Sequence, residues 1–211
     1  MSDIYAELST AVIEGDMDGI VDLTRKALDE GLDSRQVLDQ GLIPGMVHVG
    51  VEFKSGRMFV PEVLLSARAM QAAMDIIKPR LVETGAPMNG KMLLGTVKGD
   101  LHDIGKNLVA MMCAGAGFEV RDLGRDVAPE AFIKAVKEFE PDILGMSALL
   151  TTTTRSMEQT IKALKEAGLR DRVKIMVGGA PVTQDFCDHI GADGYASDAA
   201  SAAELARKLV S

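Results

Sequence analysis

From Asp3 to about Glu83 apolar positions recur at intervals of three and four residues, the spacing that lines one face of a helix. Leu8, Val12 and Ile13, then Ile20, Leu23 and Leu28, then Val37, Leu38, Leu42 and Met46 form successive stripes, with breaks expected at Gly15, Gly31 and Pro44. A last helix is expected to open at Pro61, since a proline is tolerated in a first turn, and to run through Val63, Leu64, Ala67, Met70, Met74 and Ile77. This half reads as a small helical bundle.

After Gly90 the pattern changes. Short apolar runs at 92–97, 118–123, 143–148 and 173–177, and a brief Gly194-Tyr195-Ala196, alternate with amphipathic helical stretches. Nearly continuous apolar strands separated by helices predict a parallel sheet covered on both faces. Five such strands fit a flavodoxin-like (Rossmann-like), doubly wound α/β domain, whose ligands bind at the carboxyl ends of the strands. The polar, Gly- and Pro-marked segment 83–90 is expected to be a linker. The predicted organisation is thus a helical cap domain, 1–87, followed by an α/β domain, 88–211.

A chain of 211 residues has room for both cores. Its formal charge of -8 argues against nucleic acid or an anionic membrane as the main partner, because both reward a basic face. Two cysteines, Cys113 and Cys187, are too few for a disulfide framework. Both are expected to be reduced. The first residues lack the basic start and apolar run of a signal peptide, and no apolar stretch reaches membrane-spanning length. A cytoplasmic, soluble protein is the expectation.

The expected strand ends carry the candidate chemistry. Gly99 to Asn107 sits where a phosphate loop would, but Gly99 and Gly105 enclose five residues where that motif needs four, and Asn107 replaces the magnesium-binding hydroxyl after Lys106. His102 has no second histidine or cysteine at the spacing of a zinc site. A phosphoacceptor aspartate fits less well, given the preceding bundle and the histidine at the loop tip. After the third strand come Ser147, Leu149 and a run of hydroxyls that includes Thr151 and Thr153; after the fourth come Gly178, Gly179 and Ala180. Small residues at adjacent strand ends predict a slot for a long, flat ligand. His48 and His189 read as surface residues or helix caps.

These residues carry a resemblance. Asp100-x-His102-x-x-Gly105, then Ser147-x-Leu149, then Gly178-Gly179 resembles the cobalamin-binding signature, and Gly56-Arg57-Met58-Phe59-Val60-Pro61-Glu62, continuing to Ser66-Ala67-Arg68, resembles the helical cap that precedes it. Nearly the whole chain is similar, in order, to the methyltransferase corrinoid proteins and to the cobalamin-binding module of methionine synthase. The resemblance implies that His102 is the lower axial ligand to cobalt. It also implies that Asp100 accepts from the other ring nitrogen and that Thr153, where the family has serine, ends the relay. Ser147 and Thr151 would meet the base end of the cofactor's nucleotide tail. Gly99, Leu101 and Asp103 would supply corrin-facing or loop contacts; Gly178, Gly179 and Ala180 would line the tail, and Tyr195 to Ala199 would lie near its far end. Phe59 would shield the upper, methyl-bearing face.

The resemblance further implies a cobalamin, as methylcobalamin when loaded, that carries a methyl group between a substrate:corrinoid methyltransferase and a second methyltransferase acting on a thiol or a pterin. A reductive activation protein is an implied partner, and the segment 83–90 an implied hinge. Two other classes share the binding domain. A cobalamin-dependent sensor would add a DNA-binding domain and a tryptophan, and this chain has no tryptophan. The cobalamin subunit of a mutase generally lacks a Phe59-type cap.

Overall fold

The computed structural model describes residues 3–83 and 88–210. Residues 84–87, the interior of the expected linker and hinge and the place of the expected domain boundary, lie outside the described residues. The chain divides into two compact units: Met1–Met88 with Ala114–Gly117, and Asn89–Cys113 with Phe118–Ser211.

The first unit is helical, with α1 (Ile4–Glu14), α2 (Met17–Asp29), α3 (Ser34–Gln36), α4 (Ile43–Lys54) and α5 (Val60–Glu83). Aspartates start three of these helices. The Asp3, Asp16 and Asp33 carboxylates accept the N–H groups of Tyr5, of Gly19, and of Arg35 and Gln36, which would otherwise lack partners in a first turn. The predicted stripes bury Leu8, Val12, Ile20, Leu38, Leu42, Met46, Val63, Met70 and Ile77.

Gly15 closes α1 in a left-handed conformation, and Gly31 follows α2 at φ 83°. Pro44 breaks nothing, contrary to the expectation. A π-helical segment, Val37–Leu42, joins α3 to α4, and the Ile43 N–H donates to the Leu38 carbonyl one residue farther back than in an α-helix. That shift puts Pro44 in the first turn of α4, where its missing N–H leaves no bond unmade. At the start of α5 the Glu62 carboxylate reaches back to accept the Phe59 N–H at 2.8 Å, half of a capping box.

The second unit holds β1 (Gly90–Thr96), β2 (Phe118–Asp122), β3 (Ile143–Ser147), β4 (Lys174–Gly178) and β5 (Gly194–Ala196), all parallel, in the order β2-β1-β3-β4-β5. Between and after them run α6 (Ile104–Gly115), α7 (Pro129–Phe139), α8 (Arg155–Glu166), α9 (Gln184–Ile190) and α10 (Ala199–Val210). This is the flavodoxin-like order, with its switch point between β1 and β3. On one face Leu93, Val97, Leu144, Met146, Ile175 and Val177 pack against Phe132, Met157, Ile161 and Cys187 of α7, α8 and α9. The alternate positions of the strands turn to the other face, on which α10 packs against β3 and β5. Among the described residues no helix is long and apolar enough to cross a membrane.

Candidate functional site

The loops that leave β1 and β3 flank the switch point. After β1 the chain turns at Gly99, whose φ of 85° favours glycine, and enters a turn closed by Asp100. One carboxylate oxygen of Asp100 accepts the His102 N–H at 3.0 Å and lies 2.8 Å from His102 Nδ1. The other accepts the Leu149 N–H at 2.7 Å, the Leu150 N–H at 3.3 Å and the Thr153 hydroxyl at 2.7 Å. Asp100 is fully buried. Burial alone would push its carboxyl up; the hydrogen bonds from Thr153, from the Leu149 N–H and from His102 outweigh it and hold the group well below the usual carboxylate range.

An ionised carboxylate can only accept, so Asp100 requires the proton of neutral His102 on Nδ1. Nε2 is left with its lone pair on a side chain that is half exposed, at 52%. The Thr153 hydroxyl, itself buried, also lies 2.8 Å from the Leu150 carbonyl. It has one proton for two acceptors, and the anionic Asp100 makes the stronger bond.

Exposed apolar side chains lie on the segments that Asp100 joins. Leu101, Ile104 at the start of α6, Leu149 and Leu150 are 61%, 76%, 44% and 43% exposed. Four large apolar side chains facing solvent beside a single polar nitrogen make a surface for a flat, largely apolar ligand. The motif did not include Ile104 and Leu150. The signal for them is an apolar residue where a helix start and a strand end ordinarily carry polar ones.

Across the strand ends Thr96, Ser147, Gly178 and Ala196 lie in one register row. The Ser147 hydroxyl has no hydrogen-bond partner among the described residues. A Cβ on Gly178 would stand 3.0 Å from the Ala196 carbonyl oxygen, and one on Gly179, at φ 127°, only 1.8 Å from that of Ala148. Close backbone approach therefore demands the glycine at 179 and leaves little room for a side chain at 178. Ala199, Ala202, Ala203 and Ala206 of α10 are buried, so small residues occur both in this row and on the helix packed behind β5.

Other candidates are placed differently. Tyr195, one position from the row, packs its ring against the core of the opposite face, as strand alternation requires. Asp103 accepts the Asn107 N–H with its backbone carbonyl at the start of α6. Thr151 and Ala180 are exposed. Gly105 has open space where a Cβ would go. Phe59, in the helical unit, is 66% exposed. His48 and His189 lie on exposed helix positions, and His48 faces Glu52 at 3.9 Å.

The donor set narrows the ligand. Among the described residues no three histidine, cysteine or acidic side chains cluster to hold a metal ion. The thiols do not substitute: burial pushes Cys113 up to about 12, and burial with the nearby Asp188 and Asp193 also raises Cys187. A single fixed imidazole with a free Nε2 fits a metal that brings its own planar ring of donors and needs one axial ligand from the protein. The apolar rim suits the face of such a ring, and the row of small residues suits a narrow appendage.

The comparisons with known proteins agree with that chemistry. Residues 90–204 match the B12 binding domain family, and residues 4–78 match a second family of B12 binding domains. The chain is 45% identical over 207 residues to a corrinoid protein of Desulfitobacterium hafniense, covering 97% of this chain and 96% of that protein. It is 44% identical over 210 residues to the dimethylamine corrinoid protein of Methanosarcina barkeri, covering 99% and 98%. Among solved structures, a cobalamin-binding protein from Desulfitobacterium hafniense superposes with a TM-score of 0.83 at 34% identity over the full length of both chains. The methanol:cobalamin methyltransferase complex of Methanosarcina barkeri contains a chain that superposes with a TM-score of 0.85 at 32% identity, covering 98% of this chain and 79% of that one. With a helical B12 binding domain followed by an α/β one, and a lone oriented histidine at the switch point, this chain belongs to the methyltransferase corrinoid proteins.

Proposed function

We propose that this protein binds a corrinoid through His102 and carries a methyl group on its cobalt between methyltransferases. The observation that carries the reading is the chain from Thr153 through Asp100 to His102 Nδ1, which leaves Nε2 free and directed. When bound, a corrinoid supplies a cobalt that accepts a methyl group from one partner and yields it to another.

The protein's own residues do the rest. Asp100 sets the His102 tautomer and leaves Nε2 as the nitrogen with a free lone pair. The carboxylate that orients the ring is itself fixed by Leu149, Leu150 and Thr153. Thr153 donates its hydroxyl proton to the Asp100 oxygen remote from the ring. The exposed Leu101, Ile104, Leu149 and Leu150 exclude water around Nε2 when a flat ligand covers them. Ser147 and Thr151 offer hydroxyls to the ligand's appendage, and Gly178, Gly179 and Ala180 line its path.

One partner is the methyltransferase that loads the methyl group; a second, acting on a thiol or a tetrahydrofolate-type acceptor, removes it, and a reductive activation protein restores the carrier after accidental oxidation. Mixing the protein with hydroxocobalamin tests the first step. The expected result is a red protein whose absorption shows histidine in place of benzimidazole, lost in H102A with the fold kept. Unchanged ligation in H102A would overturn the assignment. Transfer of labelled methyl from the loaded protein to a thiol or tetrahydrofolate, with the cognate enzymes added, tests the carrier role.

A further inference from the structure

The turn that bears Asp100 and His102 is tied down from outside, and Asp126 makes two of those ties. Asp126 lies between β2 and α7 at φ 55°, a left-handed conformation unusual for any residue but glycine, though Asp tolerates it. Its carboxylate accepts the Gly99 N–H at 2.7 Å. Its own N–H donates to the Asp100 carbonyl at 3.0 Å. The left-handed backbone is what lets side chain and N–H address the same two residues.

The anchor itself is held. The Val127 N–H donates to the Thr96 carbonyl at 2.9 Å, and Val127 bridges to Val97. From the same strand end, the buried Thr96 hydroxyl donates to the His102 carbonyl at 3.0 Å, and the Ser156 hydroxyl of α8 donates to the Lys98 carbonyl at 3.0 Å. The backbone of Lys98, Gly99 and His102 is thus held by three side chains, and that of Asp100 by the Asp126 N–H, none of them belonging to the turn. Strained residues persist where the surroundings over-determine them, and they cluster at functional sites.

We propose that Asp126 is a positioning residue for the axial imidazole: by clamping Gly99 and Asp100 it fixes the carboxylate that orients His102, with no hydrogen bond of its own to the ring. The inference rests on the reading of His102 as the corrinoid's axial ligand. Its chemistry separates cleanly in three substitutions. D126A removes the acceptor and keeps the strain. D126G removes the acceptor and relieves the strain. D126N keeps an acceptor oxygen, and Asn tolerates the left-handed backbone.

The test titrates hydroxocobalamin into the full chain, reads affinity and the fraction of histidine-ligated spectrum at saturation, and checks each fold by circular dichroism. D126A and D126G are expected to lose about tenfold in affinity, the lower end for residues that orient a metal ligand, and to show a reduced ligated fraction at saturation. D126N is expected to match wild type. A purely structural Asp126 would lower the melting temperature and leave the ligated fraction at saturation unchanged. If D126A does not fold, D126G, free of strain, carries the same comparison with D126N. Ligated wild type with unaltered D126G, or D126N falling with D126G, overturns this inference alone; wild type that binds without histidine ligation overturns the axial-ligand reading, and this inference with it.

Discussion

Both edges of the parallel sheet carry aspartates that accept backbone N–H groups, yet the two edges treat the carboxylate differently. At the amino edge Asp142 accepts the Lys91 N–H at 2.7 Å, and Asp193 accepts the Ile175 N–H at 2.6 Å while pairing with Arg170 at 2.9 Å. Both are exposed, and each ties a strand start to a neighbouring loop. At the carboxyl edge Asp100 is fully buried and gathers donors from two loops and an imidazole. A buried charge is tolerable only when its hydrogen bonds are made. The amino edge therefore uses carboxylates to pin backbone, and at the carboxyl edge Asp100 also holds a functional group in one orientation and tautomer.

Removing the carboxylates compares the edges most directly. D100A leaves several buried donors without an acceptor and is expected to cost on the order of 3 kcal/mol in urea unfolding. D193A removes a partly exposed carboxylate from the Ile175 N–H and from Arg170 and is expected to cost about 1 kcal/mol. Equal losses would show that both edges are merely structural. Glycines give the next contrast. G179A drives a Cβ into a backbone oxygen, whereas a Cβ on Gly194 at the amino edge meets the end of the Leu205 side chain, which can shift. G194A is expected to fall within the overpacking range of about 1–3 kcal/mol, and G179A to exceed it or fail to fold, as judged by thermal melts.

A smaller effect isolates the hydroxyl. T153V is expected to destabilise by about 1 kcal/mol and to weaken histidine ligation of hydroxocobalamin, while T153S keeps both within error. Identical behaviour of the two would remove Thr153 from the relay. The smallest effect is in pH. Because the folded Asp100 is held below its ordinary range, its contribution to stability is present above about pH 4 and is lost as pH falls through the depressed folded value. The stability gap between wild type and D100A should narrow as pH falls below about pH 4. A gap that widens as pH falls through that range would reverse the sign of the shift.

The strands and the stripes of the helical unit were legible because burial on two faces or on one leaves a period in the apolar residues. Pro44 misled because a proline marks a break only if the turns before it stay α-helical, and one wider turn moved it to a helix start. Asp100 and His102 were readable as a pair since one short loop carries both. Tyr195 was near the row in sequence, but strand alternation turned its ring to the other face. Asp126 gave no signal: it looks like any polar loop residue until its backbone angle and its two partners are seen.

By itself the sequence determined which residue types were available at the strand ends: one histidine, small residues in order, and a hydroxyl run, on elements whose periodicity predicts a parallel sheet. Those are local properties, set by side-chain chemistry and spacing. Only the tertiary structure decided that Asp100 meets Thr153, Leu149 and Leu150 across some fifty positions of chain, that Thr96, Ser147, Gly178 and Ala196 share a row, and that Asp126 clamps the turn. Each depends on which strands pair and in what register, and hydrogen bonds between distant segments leave no period in the chain that makes them.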